Sequence, residues 1–221
     1  MHLTGKGEPR RVTSSLDRLT HEIRSCRRCI EAPEGARLAH APRPVLRVSR
    51  TARLCIVGQA PGTRVHASGV PFTDPSGRRL RSWMEVTEEE FYDTRRVAIV
   101  PMGFCFPGQD ARGADLPPRR ECAPLWRPRL FPLLPHVDLV LLVGSYAQRW
   151  HLGLRSGVAL GETVRGWRSL LARPGQPRYF PLPHPSWRNT AWLARNPWFE
   201  AELLPDLRHE VARLIRPQDE K

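Results

Sequence analysis

The sequence predicts an α/β fold built on a mainly parallel sheet of four strands. Three observations predict it. Four short apolar runs are bounded by glycine, proline or polar residues, as buried strands are. Segments with helical spacing or helix-start signals lie between them, and that alternation indicates a parallel sheet with crossover helices. The two most site-like stretches, GQAPG at 58–62 and HPSWRN at 184–189, each follow a strand run, and such sheets carry their sites at the carboxyl ends of strands.

Taken in order, residues 1–13 are polar and basic and read as a loose N-terminus. In SSLDRLTHEIRSCRRC, Leu16, Leu19, Ile23 and Cys26 recur at helical spacing, with Ser14 or Ser15 as N-cap. Residues 30–51 hold three prolines and little periodicity, which predicts an irregular connection. ARLCIVG is a buried strand ended by Gly58, and Ser76-Gly77 opens a helix through RRLRSWMEV. RRVAIVPMG supplies a second strand at 96–100. RRECAPLWRPRLFPLL is helical, disturbed by Pro124 and Pro128. VDLVLLVG gives the clearest strand, 137–143, and a helix follows through SYAQRWHLG. PRYFPLPH is the fourth, short strand, and an amphipathic helix beginning near Pro197 closes the fold. Residues 14–216 therefore read as a single domain, with a tail at 217–221.

Lys plus Arg is 35 and Asp plus Glu is 22, a formal charge of +13. That excess favours polyanionic partners. No run of about 18 apolar residues occurs, which predicts no membrane span. The N-terminus lacks the apolar core of a secretory signal, so a cytoplasmic protein with reduced thiols is expected. A monomer is expected as well. Five cysteines in such a compartment point to metal ligation, catalysis or core rather than disulfides.

Cys26 and Cys29 form C-x-x-C at the end of the first helix, and Cys105 and Cys122 flank a loop rich in proline and glycine. Four thiolates gathered by a fold can hold an iron–sulfur cluster or a tetrahedral zinc, and spacing alone does not separate the two. Cys55 lies mid-strand and reads as core. In HPSWRN, a neutral His184 can donate a ring hydrogen to a developing anion, while Ser186 and the turn's amides suit phosphate.

In this order, the cysteines, GQAPG, Phe72 within SGVPFTDPSG, and HPSWRN resemble the uracil-DNA glycosylase superfamily, nearest its iron–sulfur branches, families 4 and 5. FTDPSGRRL is similar to the family 5 stretch F-T-G-D-x-S-G-x-x-L, one residue shorter. PPRRECAP resembles the approach to the last family cysteine. The likeness covers roughly residues 20–215. It implies a three-layer α/β/α sandwich and a [4Fe–4S] cluster on Cys26, Cys29, Cys105 and Cys122. The substrate it implies is DNA carrying uracil or another deaminated base. The base is flipped out and removed hydrolytically, leaving an abasic site.

The resemblance also assigns roles. Phe72 is the aromatic platform for the base. Gln59 stands where family 4 has Glu, and Ala60 where the first family has a water-activating Asp, so the turn offers amides and no base. Asp74 is the assisting carboxylate, as in family 5, with His66 as the alternative. His184 stabilises the departing base anion. Met102, or its neighbour Pro101, stands where family 4 has an Asn that reads the uracil edge, which implies a wider range, hypoxanthine and xanthine included. Ser186, Trp187 and Arg188 meet DNA, the latter two where other members insert a wedge.

Plainer readings stand beside these. Asp74 is also well placed to cap the helix at Ser76. Trp192 and Trp198 read as packing, and Arg78, Arg79 and Arg81 as a solvated helix face or a phosphate track. Two other function classes remain: a protein that grips DNA without turnover, and an enzyme acting on free nucleotides. The second would not need so basic a chain.

Overall fold

The structure, a computed structural model, describes residues 14–155 and 157–216. The expected loose N-terminus, 1–13, and tail, 217–221, lie outside the described residues.

Four parallel strands form one sheet in the order β2-β1-β3-β4: β1 Leu54–Val57, β2 Val97–Ile99, β3 Leu139–Val143 and β4 Arg178–Leu182. Leu54 lies opposite Val97 on one side and Leu139 on the other, and Leu139 opposite Arg178. β1 and β3 are buried at every position, as their unbroken apolar runs require.

Eleven helices accompany the strands among the described residues. The first half carries α1 Ser15–Arg24, α2 Arg28–Glu31, α3 Thr63–Ser68, α4 Pro75–Met84 and α5 Glu88–Tyr92. The second half carries α6 Cys122–Leu130, α7 Ser145–Leu152, α8 Leu160–Arg165, α9 Trp167–Leu171, α10 Thr190–Ala194 and α11 Leu204–Ile215. Ser14 is the cap of α1, in a reciprocal box with Asp17. Pro128 sits inside α6, which gives way to a tighter turn at Phe131–Leu133. The closing segment that begins near Pro197 is a π-turn, Phe199–Leu203, running into α11.

The strands' alternating side chains feed two cores. Ile56, Ile99, Leu141 and Phe180 face α4, α9 and α11, where Leu80, Trp167 and Leu207 meet them. Val57, Ala98, Val140 and Leu142 face α1, α6 and α7, where Ile23, Leu130 and Ala147 meet them. The result is the three-layer sandwich. Cys55 belongs to the second core, fully buried, and burial pushes its thiol up to about 12. Trp192 and Trp198 pack against the first core, with Trp198 stacked on Trp167 at 5.7 Å.

The carboxyl ends of β3 and β4 are tied by one side chain. Gln148 of α7 is buried and donates to the carbonyls of Leu142 (3.2 Å) and Leu182 (2.9 Å). The Gly144 amide also donates to Leu182 (2.9 Å). Buried carbonyls need such partners, and these fix the launch of the chain toward His184.

Candidate active site

A cleft with an open mouth lies at the carboxyl ends of β1, β2 and β4. GQAPG forms part of its wall. The carbonyls of Gly58 and Gln59 accept from the amides of Met102 (2.8 Å) and Gly103 (2.9 Å), which fastens this turn to the loop after β2. Phe72, Asp74 and His184 line the same cleft as Gln59 and Ala60. Residues more than a hundred positions apart in the chain are thus brought to one site by the strand order.

Phe72 is held in a conformation that few side chains adopt. Its φ is +58°, in the left-handed region. Its ring lies so close to Gly58 that a Cβ there would meet it at 3.1 Å, and it stands edge-on to Phe91 at 5.9 Å. Tyr92 donates its hydroxyl to the Pro71 carbonyl (2.7 Å), bracing the preceding residue. The Phe72 carbonyl packs on Gly77, where a Cβ would come within 1.8 Å of it. Backbone strain that surrounding contacts maintain marks functional positions.

Asp74 caps α4: its Oδ1 accepts from the Gly77 amide at 3.1 Å. The capping reading of this residue therefore holds, and the same carboxylate lines the cleft. Burial lowers the His184 pKa below its usual value, and the charges of Asp74 and Asp115 act against that lowering. The ring is accordingly neutral at pH 7, the form that donates one ring hydrogen and accepts at the other nitrogen. Asn189 donates to the His184 carbonyl (2.6 Å), and Arg79 of α4 donates to that of Ser186 (3.0 Å). Arg81 bonds the Phe72 carbonyl (3.4 Å) and Glu88. Two of the three clustered arginines thus brace the cleft's loops rather than line a solvated face.

Trp187 is 76 % exposed, an indole held out beside Arg188, whose guanidinium lies 5.9 Å from its ring. Met102 is buried in the second core, away from the cleft, and Pro101 lines the cleft instead. The reason is strand alternation: Val100 and Met102 point to one side of the chain and Ile99 and Pro101 to the other. His66 is not among the cleft-lining side chains. It packs on His40 (4.6 Å) and Phe106 (5.7 Å), with Nδ1 buried and without a partner among the described residues.

The remaining four cysteines meet elsewhere. Cys26, Cys29, Cys105 and Cys122 line one small cavity, together with Ile23, Arg119 and Trp126. Burial pushes the Cys122 thiol up to about 12 and raises Cys29 and Cys105 as well. Beside them, Arg127 is 3 % exposed, and burial lowers it to about 10. Its guanidinium bonds His151 (2.9 Å) and the Val100 carbonyl (3.0 Å), its Nε has no partner, and no carboxylate faces it among the described residues. A buried cation of this kind calls for a negative charge. Four thiolates around one space are a donor set that supplies it, and they fit an iron–sulfur group or zinc.

The family model of the uracil DNA glycosylase superfamily matches residues 47–208, most of the chain and every cleft-lining residue except Val45. The chain belongs to the uracil DNA glycosylase superfamily. Superfamily membership brings with it a glycosylase-type role in DNA repair and DNA as the substrate. The matched stretch contains Cys105 and Cys122 but begins after Cys26 and Cys29. No helix among the described residues is long and apolar enough to cross a membrane.

Sequence reasoning missed the apolar part of the wall, Val45, Val65 and Pro71, which carries no motif. It also missed Asp115, whose charge reaches His184. Nothing in the sequence signals that approach, because the loop from 106 to 121 has neither periodicity nor a motif at that position.

Proposed function

We propose that this protein is a monofunctional DNA glycosylase that removes uracil, and with it other deaminated bases, from DNA. The observation that carries the reading is that Phe72 and a neutral His184 line one cleft with the GQAPG turn. A flipped base needs a flat apolar face, and its departing anion needs pre-oriented donors. Phe72 supplies the first, worth roughly 1–3 kcal/mol per stacked base. His184 and the amides of Gln59 and Ala60 supply the second. Trp187 fills the space left in the duplex, with Arg188 and Ser186 on the phosphates. Flipping costs a few kcal/mol, so uracil in single strands or mismatches is excised at least as readily as in matched duplex. With Pro101 in place of a polar edge-reader, hypoxanthine and xanthine are within range.

The cysteine cavity is proposed to hold a [4Fe–4S] cluster on Cys26, Cys29, Cys105 and Cys122. Support comes from the donor set and from the unanswered charge of Arg127. Among the described residues no three His, Cys, Asp or Glu side chains are disposed to hold a metal ion, so the choice of a cluster over zinc rests on the family resemblance and on the cavity the four cysteines share. The cluster's contribution is structural: when bound it pins the end of α1 and the start of α6 to the loop between Cys105 and Cys122. Protein expressed with an iron supply is expected to be brown and iron-containing. A colourless, folded preparation with one zinc would overturn this.

The function is tested with oligonucleotides carrying uracil, hypoxanthine or xanthine, incubated with iron-loaded protein and then cleaved with alkali. Breakage at the modified position supports the glycosylase. Intact strands with salt-dependent binding would leave a DNA-gripping protein without turnover.

A further inference from the structure

GQAPG contains no acid, and the sequence alone leaves Asp74 as the only carboxylate to act. A second carboxylate, however, stands on the turn. Asp115 packs against Gly62, the last residue of GQAPG, so closely that a Cβ at position 62 would lie 3.0 Å from Asp115 Oδ2. Gly62 lines the cleft, and Asp115, exposed and not itself among the lining residues, reaches the cleft's wall at this glycine. A side chain at 62 would therefore shift this carboxylate by a few tenths of an ångström, and the glycine lets it approach.

The loop that delivers Asp115 is built to hold it. Gln109 and Asp115 form an antiparallel bridge, the Asp110 amide donates to the Ala114 carbonyl (2.9 Å), and the Leu116 amide to that of Gly108 (2.9 Å). Asp110 Oδ1 accepts from the amides of Arg112 and Ala114, both at 2.9 Å, closing the tip. The Gln109 side-chain Nε2 donates to Asp115 Oδ1 (3.1 Å), which orients the carboxylate, and no donor among the described residues engages Oδ2. Asp74 likewise commits Oδ1, to capping α4, and no donor among the described residues engages its Oδ2. Asp115 is also near enough to His184 for its charge to act on the ring.

We propose that Asp115 is a catalytic residue of the glycosylase reaction, supplying from the inter-cysteine loop the carboxylate that the GQAPG turn lacks. The inference rests on the glycosylase reading above. In the reaction, the bond between C1′ and the base nitrogen breaks and its electron pair leaves with the base. A water oxygen forms the new bond to C1′. Asp115 Oδ2 takes the proton that this water loses, and the proton passes on to solvent or to the base anion. Before water adds, the negative carboxylate opposes the positive charge on the sugar. This division leaves Asp74 to shape α4 and the Phe72 turn and to add its charge from the other side. It also ties catalysis to the cysteine cavity, since Cys105 and Cys122 anchor the two ends of the loop.

The test compares wild type with Asp115→Asn, which keeps the Gln109 contact, and with Gly62→Ala, which displaces the carboxylate without removing it. Two readouts are needed: single-turnover excision of uracil, and affinity for oligonucleotides bearing either a cationic pyrrolidine or a neutral tetrahydrofuran in place of the abasic sugar. Wild type is expected to prefer the cationic strand. Asp115→Asn should lose that preference and about 10²–10⁴-fold in rate, the range for loss of a general base, with binding of the neutral strand and thermal stability unchanged. Gly62→Ala should fall between the two. Wild-type rate and preference in Asp115→Asn would overturn the role of Asp115 and leave the glycosylase reading intact. A wild-type protein that neither excises nor prefers the cationic strand would overturn both.

Discussion

Replacing Gly77 with Ala should disable the site without touching any group that does chemistry. A Cβ built on Gly77 lies 1.8 Å from the Phe72 carbonyl oxygen, 2.5 Å from its carbon and 2.8 Å from the Phe72 Cβ. The first distance is about 1.2 Å short of the 3.0 Å below which real Cβ contacts essentially never fall. The neighbours are backbone, so no rotamer change relieves the clash. Either the start of α4 or the Phe72 turn must retreat by that amount. Phe72 is already at φ +58° and Asp74 is bonded to the Gly77 amide, so base platform and cap move together. A misplacement of about 1 Å at a reacting centre costs on the order of 100-fold in rate, and overpacking of this kind costs about 1–3 kcal/mol of stability. Single-turnover excision and urea denaturation measure the two effects. Gly35→Ala is the control, since nothing lies within 4 Å of a Cβ there, and it should be neutral within about 0.5 kcal/mol. Wild-type rate and stability in Gly77→Ala would refute the claim that Phe72 is held in place by its contact with α4.

His184→Ala should lower the single-turnover rate by about 10²–10³ with little change in DNA affinity, because its donor acts mainly on the transition state. Burial beside Arg127 lowers His151 from 6.5 to about 3, so the folded state binds fewer protons than the unfolded chain in that interval. Stability is then fully present above about pH 6.5 and falls by up to about 1.4 kcal/mol per pH unit below it, a slope that His151→Gln should reduce in denaturation curves. Cys122→Ala should lose iron while Cys55→Ala keeps it, as read by iron content and visible absorbance. Trp187→Ala should slow excision from duplex more than from single strands, because only duplex leaves a gap for the exposed indole to fill.

The core of the fold was legible because burial dictates it. β1 and β3 are unbroken apolar runs, and both fall within the strands expected from them. A serine cap and the spacing of Leu16, Leu19 and Ile23 announce α1, and the serine and glycine after Asp74 announce α4. The short helices α2, α3, α5, α8, α9 and α10 escaped notice. At four to six residues each, they are too brief to show a period, and tertiary packing maintains them. At the site, Phe72 and His184 were reachable through motifs, as was the convergence of four cysteines. Pro101 and Met102 stood as alternatives for one place, and alternation after β2 turns Pro101 toward the cleft. Asp115 was invisible, since its position depends on how a loop without periodicity closes over Gly62.

The account turns on whether this cleft breaks a glycosidic bond. The most direct measurement is the release of free base from a single-stranded oligonucleotide containing one uracil, incubated with the iron-loaded protein and analysed by mass spectrometry alongside His184→Ala. The account predicts free uracil and an abasic strand in equal amounts, formed by the wild type and about 10²–10³ more slowly by the variant. An intact strand after long incubation, or free uracil formed equally fast without His184, would contradict it.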